Sequence, residues 1–229
     1  MPFLTIDTVL PDVQLGVWQI TEDELFFLER VKLYENEWKR LARIAHPMKR
    51  LEWLSSRLCL KELLQISDFS HTESLNAITG KPYLSNDPHH ISYTHSNHYS
   101  AAIASKGCEV GIDIEFLGRK RNPKTRFLWM NDQELAYYEQ APDSPFFILA
   151  WSAKETVYKL FGSGVAFKHH IAIQVDDLTI TDNGILHVFV NKEGFQKKYE
   201  IAYAIYPDFL LTYTGDCVLE QQRVAEATH

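Results

Sequence analysis

Apolar and polar residues follow two different periods along the chain. Phe3 to Val9 and Gln14 to Ile20 are rich in β-branched and aromatic residues around Pro11-Asp12, which predicts two short strands or one interrupted strand. Thr21-Glu22-Asp23-Glu24 then has the form of a capping box, with Thr21 at the N-cap and Glu24 three residues on. From Leu25 to about Leu64 the spacing is mostly helical, with a break near His46-Pro47 because proline disfavours helical geometry in the residue before it. Ile66 to Thr79 is polar and irregular. After Gly80-Lys81-Pro82 the pattern turns strand-like from His89 to Ser105, with a turn at Lys106-Gly107. Val110 to Phe116 reads as a buried strand and Asn131 to Gln140 as a short helix. Ser144 to Phe161 is a longer helix ended by Gly162-Ser163-Gly164. Four further strands are predicted at Ile171 to Val175, Ile185 to Val190, Tyr199 to Ala204 and Phe209 to Tyr213. Asp182-Asn183-Gly184 and Lys192-Glu193-Gly194 supply turns between them. Both halves mix helices and strands without regular βαβ alternation, so the predicted class is α+β, in two similar halves, 1–107 and 108–229.

Composition narrows the function classes. With 229 residues, 45% of them hydrophobic, the chain can bury a core without disulfides. Its 23 basic and 30 acidic residues leave a net charge of −7, which counts against a general nucleic-acid binder. Apolar runs such as Phe146 to Ala150 fall far short of a membrane span, and the N-terminus lacks the positive start and apolar stretch of a signal peptide. Cys59, Cys108 and Cys217 show neither a pairing pattern nor metal spacing, so three free thiols in a cytoplasmic protein are expected.

Two segments concentrate candidate chemistry. In Val110-Gly111-Ile112-Asp113-Ile114-Glu115, strand alternation puts Asp113 and Glu115 on one face beside a glycine. Carboxylates that close repel unless solvated, protonated or sharing a cation, and oxygen-only ligation suits magnesium. A half-buried strand with a wet polar face explains the same alternation. In Trp151-Ser152-Ala153-Lys154-Glu155-Thr156-Val157-Tyr158-Lys159, Trp151, Glu155 and Lys159 line one face of a largely apolar helix. That pair reads either as an ordinary surface contact or as a functional one. His89, His90, His95 and His98 lack the ligand set of a zinc site, whereas His95 alone suits a phosphate donor. Basic residues gather at Lys39-Arg40, Arg43, Lys49-Arg50 and Arg57, and again at Arg119-Lys120-Arg121, Lys124 and Arg126. These are solvated surface or patches that collect phosphates or an acidic partner.

Taken in order, Gly80-Lys81-Pro82, Tyr93-Thr94-His95-Ser96, Gly111-Ile112-Asp113-Ile114-Glu115 and the segment Trp151 to Lys159 resemble the motifs of the 4′-phosphopantetheinyl transferase superfamily. The length resembles its larger, surfactin-synthetase-activating branch, which implies a monomer of two α+β halves related by a pseudo-twofold axis, with the active site between them. The resemblance implies transfer of the phosphopantetheine arm of coenzyme A to a serine of an apo acyl or peptidyl carrier protein, in fatty-acid, polyketide or nonribosomal-peptide synthesis. Adenosine 3′,5′-bisphosphate would be released.

By position, Asp113, Glu115 and Glu155 would hold Mg2+ on the pyrophosphate. Lys159 would stabilise the leaving group, and Glu155, or a water it orients, would be the base for the carrier serine. Lys81, Thr94 and His95 match positions that contact the coenzyme A phosphates, Arg50 and Arg57 match those receiving the 3′-phosphate, and Glu134 matches an acidic position near the metal. The basic loop 119–126 would meet an acidic carrier helix. Thr94 stands where serine is usual, and Phe161-Gly162-Ser163-Gly164-Val165 lacks a lysine common after the catalytic helix. The alternatives are a non-catalytic carrier-binding homologue and a magnesium-dependent phosphodiesterase. The second lacks the lysine expected two residues after the acid, since Phe116-Leu117 follows Glu115.

Overall fold

The computed structural model describes residues 3–64, 74–118 and 122–217. Strands β1 (Phe3–Leu10) and β2 (Val13–Gln19) form an antiparallel hairpin. Helices α1 (Glu24–Arg30), α2 (Glu35–Ala42) and α3 (Pro47–Leu64) follow, then β3 (Ser74–Asn76), β4 (Pro82–Leu84), β5 (His90–Ser96) and β6 (Tyr99–Ser105). All six strands make one antiparallel sheet in the order β1-β2-β6-β5-β4-β3. The second part runs β7 (Cys108–Phe116), a 3₁₀ turn at Pro123–Leu128, α4 (Asp132–Gln140), α5 (Phe146–Phe161), α6 (Phe167–His170) and β8 (Ile171–Ile173). It ends with β9 (Asn183–Lys192), β10 (Phe195–Ile205) and β11 (Phe209–Cys217), giving a second antiparallel sheet ordered β7-β11-β10-β9-β8. The fold is α+β with two antiparallel sheets, and the chain passes from one sheet to the other between Ser105 and Cys108.

Local chemistry sets the helix ends. The cap of α1 is Asp23 rather than Thr21, because the Asp23 carboxylate accepts the Phe26 N–H at 2.9 Å. The long helical pattern is divided twice. Val31 leaves the helix with extended backbone, and Pro47 opens α3 at the position where its missing N–H costs nothing. Gly162, at φ +84°, ends α5.

Three apolar clusters hold the layers together. Leu54, Leu58 and Leu60 of α3 pack on Ile91, Ala102 and Ala104 of the first sheet. Leu149, Ala153 and Val157 of α5 pack on Leu186, Val188 and Ile201 of the second. Val13, Leu15 and Ile103 meet Val110, Ile112, Ile114 and Leu211, which locks one sheet to the other. Each fully buried aliphatic side chain contributes roughly 1.5–3 kcal/mol.

Two expectations change. Cys108 and Cys217 are directly opposed in the β7–β11 ladder and joined by a disulfide, so only Cys59 is a free thiol. The polar face of β7 is dry: Asp113 is 4% and Glu115 7% exposed. Among the described residues no helix is long and apolar enough to cross a membrane.

Candidate functional site

β7 reaches its neighbours closely because position 111 is glycine. A Cβ there would collide with the Thr156 carbonyl of α5. The approach lets Lys159 Nζ, one turn further along α5, lie 2.7 Å from Asp113 Oδ1. The opposite wall comes from the other sheet. Thr94 Oγ1 on β5 donates to Asp113 Oδ1 at 3.1 Å and accepts the Ile114 N–H at 3.4 Å. Ser96 Oγ repeats the pattern two residues on, donating to Glu115 Oε2 at 3.4 Å and accepting the Phe116 N–H at 3.0 Å. Two hydroxyls thus take the place of a backbone ladder between β5 and β7.

From α5, Ser152 Oγ donates to Asp113 Oδ2 at 2.9 Å. Ser152 lies 2.8 Å from the Thr212 hydroxyl, itself 2.6 Å from Thr156 Oγ1. Asp113 therefore receives three donors on two oxygens, and such charge-assisted bonds offset the cost of burying it. The strands and helix enclose a cavity of about 420 Å³ lined by Lys49, Tyr93, Thr94, His95, Ser96, Asp113, Ile114, Glu115, Trp151, Glu155 and Lys159. Among the described residues no three His, Cys, Asp or Glu side chains already close around a metal position.

The structure brings Asp113, Glu115, Glu155, Lys159, Thr94 and His95 to one cavity. The remaining expected residues lie elsewhere. Arg50 makes a bidentate pair with Glu24 at 2.6 and 2.7 Å and donates to the Leu41 carbonyl at 2.7 Å. Arg57 stacks on Trp53 and bonds Glu37 at 3.2 Å. Both guanidinium groups tie helices together rather than line the cavity.

Lys81 pairs with Glu109, donates to the Leu160 carbonyl at 3.1 Å and lines a separate cleft of about 320 Å³. Burial pulls its ammonium below the usual lysine range. Glu134 does not face the carboxylates of β7. It is fully buried against Lys154 at 2.7 Å, and Lys154 also donates to the carbonyls of Trp129, Phe167 and Ile171. That pair fastens α4, α5 and β8.

His89 and His90 turn to Asp87 and Glu109, away from the cavity. Of the basic loop, Arg119, Lys120 and Arg121 lie outside the described residues. Lys124 is exposed, next to exposed Phe127 and Leu128.

Sequence reasoning passed over Glu52. Its carboxylate accepts from Lys49 at 2.5 Å and from the Asn97 N–H at 2.8 Å, and His95 Nδ1 lies 3.1 Å away. Burial pushes this acid up, but the bonds from His95 and Lys49 outweigh it and hold it below the ordinary range. The i, i+3 spacing of Lys49 and Glu52 was the only signal in the sequence.

No curated protein matches the chain at a significant level. Residues 109–214, which contain α5, all of β7 but Cys108, and the candidates Asp113, Glu115, Glu155 and Lys159, match the family model described as the 4′-phosphopantetheinyl transferase superfamily.

Proposed function

We propose that the chain transfers the 4′-phosphopantetheine arm of coenzyme A to a serine hydroxyl of an apo acyl or peptidyl carrier protein, releasing adenosine 3′,5′-bisphosphate. The observation that carries this reading is the Asp113–Lys159 contact, at 2.7 Å, in a cavity where β7 and α5, from the matched segment, meet β5. A carboxylate wall beside a lysine suits a substrate whose pyrophosphate needs both a cation and a proton-rich partner.

The donor chemistry fits magnesium. Asp113, Glu115 and Glu155 offer oxygen ligands only, and Mg2+ is normally held by one or two carboxylates plus substrate phosphates. When bound, the ion neutralises charge on the pyrophosphate. Lys159 steadies the departing phosphate with its ammonium. Glu155 takes the proton as the serine oxygen bonds to the pantetheine-bearing phosphorus and the bond to the adenylate phosphate breaks. Thr94 and Ser96 hold Asp113 and Glu115 in place without titrating. The exposed stretch Lys124 to Leu128, apolar and basic together, suits an acidic carrier helix.

Chromatography of the small-molecule products tests the reaction. Adenosine 3′,5′-bisphosphate should appear in equal amount to holo carrier. Coenzyme A consumption without holo carrier would point instead to hydrolysis of its pyrophosphate.

A further inference from the structure

Ser152 and Thr156 stand one turn apart on α5, and both are fully buried. A serine or threonine inside a helix commonly returns its hydroxyl to a carbonyl of the preceding turn. Ser55 and Ser56 of α3 do so, donating to the Glu52 and Trp53 carbonyls at 3.1 and 3.0 Å. On α5 the hydroxyls reach outward instead. Ser152 Oγ bonds Asp113 on β7, and both Ser152 and Thr156 meet the Thr212 hydroxyl on β11. Thr212 is fully buried too, and it lies directly opposite Asp113 in the β7–β11 ladder.

The protons of this group have one consistent arrangement. The ionised Asp113 carboxylate only accepts, so the single Ser152 hydroxyl proton goes to Oδ2, at 2.9 Å. The 2.8 Å contact between Ser152 and Thr212 must then carry the Thr212 proton. That leaves Thr156 as the donor in its 2.6 Å contact with Thr212, its oxygen also lying 3.2 Å from the Thr212 carbonyl. The chain therefore runs one way, from Thr156 through Thr212 and Ser152 to Asp113, and each link polarises the next. Oδ2 is thus held from the interior, whereas Oδ1 meets Thr94 and the part-exposed ammonium of Lys159. Apolar side chains of the same shape could replace all three hydroxyls at little cost if packing were their only service.

Lys159 cannot serve a departing phosphate and stay wholly engaged with Asp113. As its ammonium turns to the substrate, the carboxylate loses part of the charge that holds it. We propose that Ser152 is a positioning residue for the transfer, the last donor of a chain that pins Asp113 Oδ2 and so keeps Oδ1 turned to the cavity. The proposal rests on the transferase reading above. Ser152, Thr156 and Thr212 do not line the cavity, so they act through Asp113.

Ser152→Ala should lower turnover about 10–100-fold, while the KM for coenzyme A changes by less than about twofold. Thr212→Val, close in shape but without the hydroxyl, should lower turnover less. The double variant should be no slower than Ser152→Ala, because Thr212 acts through Ser152. Thr212→Ser, which restores the donor, should recover turnover to within about twofold of the wild type. Carbon NMR of protein labelled at its aspartate carboxyls should show the Asp113 signal shifted in Ser152→Ala and Thr212→Val. In Thr212→Ser it should return to near its wild-type position.

Near-normal turnover in Ser152→Ala, losses that add in the double variant, no recovery with Thr212→Ser, or an unmoved carboxyl signal would overturn the proposal. If the wild type transfers nothing, the transferase reading fails, and the carboxyl signal still decides whether the chain holds Asp113. Should Ser152→Ala not fold, Ser152→Cys, of similar size with a much weaker donor, takes its place with the same readouts.

Discussion

Lys159 Nζ sits 2.7 Å from Asp113 Oδ1, and the same oxygen accepts from Thr94 at 3.1 Å, so one carboxylate oxygen joins α5, β7 and β5. These elements come from different parts of the chain and both sheets. The arrangement places an acid, a lysine and two hydroxyl-bearing positions around one cavity while leaving Lys159 23% exposed to it.

Removing either partner should stop the chemistry without unfolding the protein. Lys159→Met and Asp113→Asn are each expected to slow transfer by about 10²–10³-fold, the scale for losing one preorganised charge at a reacting phosphate or oxyanion. Steady-state kinetics with circular dichroism as a folding control checks this. Near-normal transfer by either variant would contradict the assigned roles.

Gly111→Ala tests the close approach that makes the contact. The new methyl would run into backbone, not a flexible side chain, so strand and helix must separate. A loss of about 1–3 kcal/mol is expected by urea unfolding, together with weaker transfer. Unchanged stability would mean that β7 and α5 have room the packing does not show.

Glu24 should contribute to acid sensitivity. The Arg50 hydrogen bond holds its carboxyl below the ordinary glutamate value against the upward push of burial. A carboxyl depressed in the fold contributes stability that is fully present above its unfolded value of about 4.3 and lost as pH falls through the lower folded one. Thermal unfolding from neutral pH down to pH 3 should therefore fall less steeply for Glu24→Gln than for the wild type. Parallel curves would show that the pair adds no pH dependence.

The Cys108–Cys217 bridge closes a sequence separation of 109 residues at the end of the strand that carries Asp113 and Glu115. Reduction, or Cys217→Ser, is expected to lower stability by about 2–4 kcal/mol. Denaturant curves with and without a thiol reductant measure it. Coincident curves, with three titratable thiols in the unfolded protein before reduction, would show that the bridge does not form.

Local pattern carried the alternation of β7, the apolar face of α5 and the glycine that ends it. The strand ends and helix breaks shifted by a few residues because caps depend on single side chains, as Asp23 shows in place of Thr21. Asp113 and Glu115 share a face by alternation, but what covers that face is β5, from the other sheet, which no local period reveals. Arg50 and Arg57 look like free cations in a basic stretch, yet Glu24 and Glu37 claim them through contacts 26 and 20 residues away. Glu134 stands in an acidic helix start, and only packing shows that Lys154 takes it. Cys108 and Cys217 become neighbours through the register of β7 on β11, a relation set by the whole second sheet.

The most direct measurement is the intact mass of apo carrier proteins, taken from fatty-acid, polyketide and nonribosomal-peptide systems, after incubation with this protein, coenzyme A and magnesium. A gain of one phosphopantetheine on at least one carrier is expected, abolished by EDTA and by Asp113→Asn. No gain on any carrier, with the protein folded and coenzyme A intact, would contradict the transferase assignment.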